Sequence, residues 1–103
     1  MTNIFADIPE NLPEELLSCL MQREGLRLER IVSRGQSSPA EGWYDQDGPE
    51  WVLVLRGEAV IAYPDKPSVA LGEGDYLNIA AHEQHRVDWT APDETTVWLA
   101  LYY

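Results

Sequence analysis

From Gly25 to its last residue, the chain is a succession of short apolar or alternating segments separated by turn residues. Alternation of apolar and polar residues is typical of strands, and clusters of Gly, Pro, Asp and Ser mark the turns between them. The pattern predicts strands at 26–32, 43–44, 51–56, 59–63, 69–71, 76–79, 85–89 and 95–102. Strands this short and this closely spaced favour an all-β antiparallel sandwich or barrel.

The residues before Gly25 follow a different pattern. Residues 1–11 are interpreted as an extended lead-in, and residues 13–22 as one short amphipathic helix. Asn11 is a suitable N-cap and Pro13 suits a first helical turn, while the leucines that follow recur at helical spacing. The sequence therefore predicts a single N-terminal helix ahead of the strands.

Chain length and segment order predict one domain over residues 1–103, with an N-terminal extension over 1–24 and a barrel over 25–103. The predicted strand 51–56 is apolar on both faces, although the strand of a lone barrel normally has a polar outer face. The outer face must be covered by the predicted helix, by the lead-in or by a second subunit. We prefer a homodimer, because the lead-in and the last strand also carry unexplained apolar residues.

Charge and cysteine content restrict the partners and the compartment. Eighteen Asp and Glu oppose seven Lys and Arg, for a formal net charge of -11, which disfavours nucleic acid and anionic membrane surfaces as partners. Cys19 is the only cysteine, so neither an internal disulfide nor a thiolate zinc site is expected. Asp7 and Glu10 interrupt the apolar N-terminus, and no apolar run reaches membrane-spanning length. These features predict a cytoplasmic protein.

Two stretches carry the residues that could perform chemistry. Glu50 is followed by the predicted strand 51–56 and then by Gly57. Further on, Gly74 precedes another strand, and His85 closes that stretch. In order and spacing, the two stretches resemble the two motifs of the cupins, a family of small double-stranded β-helix (jelly-roll) barrels. The resemblance covers about residues 30–100.

The chain departs from the cupin pattern at four positions. Trp43 and Asp45 stand where the first motif has two histidines, and Ala80 and His82 stand where the second has Pro and an inner Gly. The resemblance implies the fold, but it does not select one activity, because one fold hosts many functions.

The resemblance also implies that Glu50 and His85 point into the barrel toward one site. A carboxylate and an imidazole are good ligands for Mn, Fe, Ni or Zn, and Asp45 could supply a third ligand. Glu50 and His85 would then be the catalytic residues, with the metal as Lewis acid and template. Trp43 would project toward the cavity and stack on the substrate, while Tyr44 would face outward.

Each candidate also has an ordinary structural explanation. His85 could be a neutral, hydrogen-bonded core histidine, and Glu50 could be paired with an arginine. Asp45 begins a turn sequence in which aspartate is common. His82 lies three residues from His85, so strand alternation places it on the opposite face, at the rim.

Three functions remain open at this level. The first is a metal-dependent enzyme for isomerisation, decarboxylation or oxygen chemistry on a small metabolite. The second is a metal-free module that binds or senses a small ligand, for which the loss of both first-motif histidines and the presence of Trp43 argue. The third is a structural homodimer whose barrel is simply a packed core.

Overall fold

The computed structural model describes residues 3–103, which form eight β-strands and no helix. The strands are β1 (Leu16–Arg23), β2 (Leu26–Ser33), β3 (Glu50–Arg56), β4 (Ala59–Ala62), β5 (Val69–Leu71), β6 (Tyr76–Ile79), β7 (Arg86–Thr90) and β8 (Thr96–Tyr102). Five strands form one antiparallel sheet in the order β1-β2-β8-β3-β6, and three form a second in the order β5-β4-β7. The predicted all-β antiparallel fold is confirmed.

The core is a cluster of buried apolar side chains drawn from both sheets. Strand alternation buries Val52 and Val54 of β3, together with Glu50 on the same face. The other members of the cluster are Ile31, Ala59, Ile61, Tyr63, Leu71, Trp98 and Ala100. Burial of each large apolar side chain stabilises the fold by about 1.5–3 kcal/mol. Because of this alternation, Glu50, the first residue of β3, places its carboxylate on the face that forms the core.

The predicted helix over 13–22 is wrong, because most of that segment forms β1. β1 pairs antiparallel with β2 along its length, with a register shift between Cys19 and Met21. A two-residue turn joins the strands, and its Gly25 has a φ of 77°, the left-handed conformation that tight hairpin turns require. A short isolated helix is marginal in water, whereas pairing with β2 satisfies the backbone of both strands. Long-range pairing has overridden the local helical spacing.

The lead-in covers part of the outer face of the larger sheet. Arg30 of β2 is buried there, and its Nη1 donates to the carbonyl oxygens of Ile4, at 3.1 Å, and Ala6, at 2.6 Å. The guanidinium of Arg56 lies 4.0 Å from the centroid of the Phe5 ring. Of the three predicted covers, the lead-in is therefore the one seen in contact with this face. The homodimer stays a prediction.

Within residues 3–103, no helix is long and apolar enough to cross a membrane.

Candidate functional site

A cavity of about 170 Å³ lies inside the fold, bounded by strands of both sheets. Its apolar wall comes from Leu17, Ile31, Val52, Ile61, Ile79, Val87 and Trp98. Its polar wall comes from Glu15, Glu29, Tyr44, Gln46, Glu50, His85 and Tyr102. An apolar pocket with a few converging polar groups is the usual form of a small-molecule site.

Glu50 and His85 converge on this cavity from different parts of the chain. Glu50 begins β3, and His85 immediately precedes β7. Their exposed fractions are only 7% and 4%, and His85 Nε2 lies 3.6 Å from Glu50 Oε1. The backbone of His85 is held by a two-bond bridge to Tyr44, with N···O distances of 2.8 and 3.2 Å. The sequence predicted that Glu50 and His85 share one site, and the structure brings them together.

The hydrogen bonding of His85 determines what its second nitrogen offers to the cavity. Nδ1 lies 2.8 Å from the carbonyl oxygen of Glu83. A carbonyl oxygen only accepts, so Nδ1 carries the proton and the neutral ring turns the lone pair of Nε2 toward Glu50. Two acceptors then face each other, and a proton or another donor between them satisfies both.

Opposing effects determine the pKa of His85. Burial lowers the pKa, but the Glu50 carboxylate 3.6 Å away and the hydrogen bond to the Glu83 carbonyl, with the negative charges of both glutamates, raise it above its ordinary value of 6.5. The pair can therefore hold a proton and exchange it with a bound molecule.

Asp45 does not join this pair. Its Oδ1 lies 2.8 Å from Nδ1 of His82, and both side chains are exposed outside the cavity. The ion pair with His82 lowers the pKa of Asp45, and Asp45 in turn raises the pKa of His82. His82 has a φ of 61°, so it occupies in left-handed conformation the place where the second cupin motif has glycine. The turn interpretation of Asp45 describes its position better than the ligand interpretation.

Trp43 and Tyr44 have the reverse of their expected orientations. Tyr44 lines the cavity, with its ring centroid 5.8 Å from that of His85, whereas Trp43 does not line it. Trp43 instead packs under the guanidinium of Arg86 at 4.5 Å, in a separate surface pocket. The bridge between Tyr44 and His85 sets this arrangement, because neighbouring residues of an extended segment point to opposite sides.

Four polar lining residues were missed by the sequence analysis, namely Glu15, Glu29, Gln46 and Tyr102. Alternation was a sequence signal for Glu29, which shares a strand face with the core residue Ile31. Tyr102 lies opposite Glu50 across β3 and β8, a pairing that only the sheet register reveals. The pKa of Tyr102 is raised, first by burial and then by the carboxylates of Glu50 and Glu29, so its hydroxyl stays protonated.

Glu15 reaches the cavity from the segment just before β1. Its Oε2 accepts a hydrogen bond of 2.7 Å from the hydroxyl of Ser33, which in turn accepts one of 3.3 Å from the indole N–H of Trp98. Only the tertiary structure could reveal Glu15, because the segment was predicted to be helical.

The donor set for a resident metal ion is incomplete. Among residues 3–103, no three His, Cys, Asp or Glu side chains are grouped so that they could hold a metal. Glu50 and His85 supply two ligands, and the predicted third, Asp45, is directed at His82 instead. Protein metal sites typically use at least three protein ligands, and affinity falls with ligand number. The residues present therefore do not fit a resident metal ion.

An antiparallel jelly-roll with a polar cavity between its sheets defines a class of small barrel proteins. The sequence model of the cupin domain family, Cupin_2, matches residues 30–102, and the chain belongs to the cupins. No curated protein matches the chain.

Solved structures agree with this assignment. A protein from Ralstonia eutropha JMP134 named a "putative mannose-6-phosphate isomerase" is 44% identical, with a TM-score of 0.94 over 99% of this chain and 95% of that one. A cupin superfamily protein from Desulfitobacterium hafniense DCB-2 is 23% identical, with a TM-score of 0.75 over 92% of this chain and 82% of that one. Fe(II)-HppE with the alternative substrate (S)-1-HPP is 16% identical, with a TM-score of 0.72 over 94% of this chain and 53% of that one. The last two likenesses concern the fold alone.

Proposed function

We propose that this cupin binds a small polar molecule in the cavity beside Glu50 and His85, and that it does so without a resident metal ion. The observation that carries the proposal is the buried approach of His85 Nε2 to Glu50 Oε1, at 3.6 Å, on the wall of a cavity. Burying a carboxylate is costly unless it is paired, so a pair kept at a cavity wall is a functional candidate.

The chemistry available to a bound molecule is hydrogen bonding and proton exchange. The ring of Tyr44 lies at the cavity beside His85, so we assign the aromatic contact to Tyr44 and not to Trp43. The hydroxyl of Tyr102 offers a further donor.

Proton-transfer catalysis on the bound molecule, such as an isomerisation, is the second candidate. The position of His85 at the cavity wall favours it, since a general base must lie within reach of the proton that it removes. The 44% identity to the Ralstonia protein supports an isomerase. A metal-dependent reaction is less well supported, because the donor set has two members.

The test is a binding screen on metal-stripped protein with a panel of small polar metabolites. Trp98 lines the cavity, so tryptophan fluorescence reports occupancy, and calorimetry gives the affinity. Glu50→Gln removes the cavity carboxylate while keeping its size, and Asp45→Asn is the matched control on an exposed carboxylate outside the cavity. We expect ligands whose affinity falls at least tenfold in Glu50→Gln and stays unchanged in Asp45→Asn.

Two results would overturn the proposal. If no ligand binds, or if ligands bind equally well to Glu50→Gln, the cavity is not the site. If reloading with Mn, Fe, Ni or Zn gives stoichiometric metal by mass spectrometry, and this metal is lost in His85→Ala, the site is a metal centre.

A further inference from the structure

The cavity wall is strongly biased in charge. Three carboxylates line it, those of Glu15, Glu29 and Glu50, and no lysine or arginine does. The nearest compensation is Arg27, whose Nε lies 3.3 Å from Glu29 Oε2, with its guanidinium over the ring of Tyr102. Arg27 thus neutralises Glu29 from outside the cavity and leaves two carboxylates without a cationic side chain other than His85.

One buried acceptor among the lining residues also lacks a donor. Oε1 of Gln46 is buried and has no hydrogen-bond partner among the described residues. The carboxylate of Glu50 is more than nine-tenths buried, and the imidazole of His85 lies 3.6 Å from it. Leaving a buried acceptor unpaired costs about 1–3 kcal/mol, so a ligand that brings donors recovers this energy.

The apolar part of the wall limits the ligand as well. Val52, Ile61, Ile79, Val87 and Trp98 offer hydrocarbon surface, and the volume of about 170 Å³ favours a small molecule. The matching molecule therefore has a short carbon skeleton and a donor-rich polar end.

We propose, building on the small-molecule site proposed above, that its ligand is a small organic cation with a primary ammonium group held between Glu50 and Gln46. An ammonium group carries three N–H donors and no acceptor, which complements a carboxylate and an unpaired amide oxygen. Charge-assisted hydrogen bonds of this kind are about twice as strong as neutral ones. The carbon skeleton lies against the apolar wall.

The same charge pattern disfavours a phosphorylated ligand in this cavity. A phosphate needs cationic or N–H donors, and here it would instead be buried beside carboxylates at an electrostatic cost. The cavity is therefore poorly suited to a sugar phosphate, the substrate class in the name of the Ralstonia protein.

The test compares n-butylamine, butan-1-ol and butanoate, which share one carbon chain and differ in charge. Each is titrated into metal-stripped protein at pH 7.5 by calorimetry, and the ring resonances of His85 are followed by NMR to localise binding. We expect the ammonium ion to bind at least tenfold more tightly than the alcohol, and butanoate not to bind. Glu50→Gln should lower the affinity for butylamine at least tenfold, and Asp45→Asn should leave it unchanged.

The outcomes separate this inference from the proposed function. If the alcohol or butanoate binds as tightly as butylamine and shifts the His85 resonances, the site stands and the cation inference falls. If none of the three binds while panel metabolites do, the cation inference again falls alone. If neither the three probes nor the panel bind, both fall. Should Glu50→Gln fail to fold, Glu15→Gln in the exposed part of the wall tests the same charge dependence.

Discussion

Gly57, the glycine that closes the first cupin motif, offers a prediction whose size follows from the structure. Its φ is 95°, a conformation that costs an L-residue about 1–2 kcal/mol. A Cβ added there would lie 2.6 Å from Cα of Thr96, a backbone atom that cannot move aside. Overpacking of this kind costs about 1–3 kcal/mol.

The hydrogen bonds of Thr96 add to the loss of stability expected for Gly57→Ala. Its hydroxyl accepts from the N–H of Glu58 and donates to the carbonyl oxygen of the same residue, both at 3.2 Å. Displacing Thr96 endangers both bonds, each worth about 1 kcal/mol. We therefore expect Gly57→Ala to lower the free energy of unfolding by about 4–7 kcal/mol if both bonds are lost.

Gly74 provides the matched control. Its φ is 88°, but a Cβ there meets nothing within 4 Å, so Gly74→Ala should cost only the conformational term of about 1–2 kcal/mol. Urea unfolding followed by fluorescence measures both. With a slope of about 1.5 kcal/mol/M, the midpoint of Gly57→Ala should lie about 1 M or more below that of Gly74→Ala. Equal midpoints for the two variants would refute the packing argument.

Three further predictions concern buried charges. His85 should titrate above 6.5 by NMR in the wild type and at lower pH in Glu50→Gln, because burial remains and the carboxylate charge is gone; an unchanged pKa would exclude Glu50 as the cause. The pKa of His85 is higher in the folded protein than in the unfolded chain. The stability that His85 contributes is therefore fully present at pH values below its unfolded-state pKa, and it is lost as the pH rises through its folded-state pKa. Urea unfolding across about pH 6–8 measures this loss. Arg30→Met removes two charge-assisted hydrogen bonds to the lead-in, together about 3–6 kcal/mol, so amide exchange over residues 3–15 should accelerate; unchanged exchange would mean that other contacts hold the segment.

The strands from β2 onward were predictable because their signals are local. Alternation and turn residues predicted the segments that became β3 to β8, with boundaries within a few residues. The resemblance of these two stretches to the cupin motifs, from Glu50 to Gly57 and from Gly74 to His85, implied that Glu50 and His85 lie near each other, and they do. Alternation along one strand also predicted the face that carries Val52 and Val54.

The sequence could not determine the features that depend on how distant segments pair in the sheets. The leucines before Gly25 recur at helical spacing, and only the free edge of β2 made the segment a strand. Likewise, only the pairing of Tyr44 with His85 determined that Tyr44 and not Trp43 lines the cavity. The sequence by itself determined the strands and the family motifs, because both depend on the spacing of residues that are close together in the chain. The tertiary structure decided the sheet partners and therefore the cavity wall, because a shift of one residue in register exchanges the faces of a whole segment.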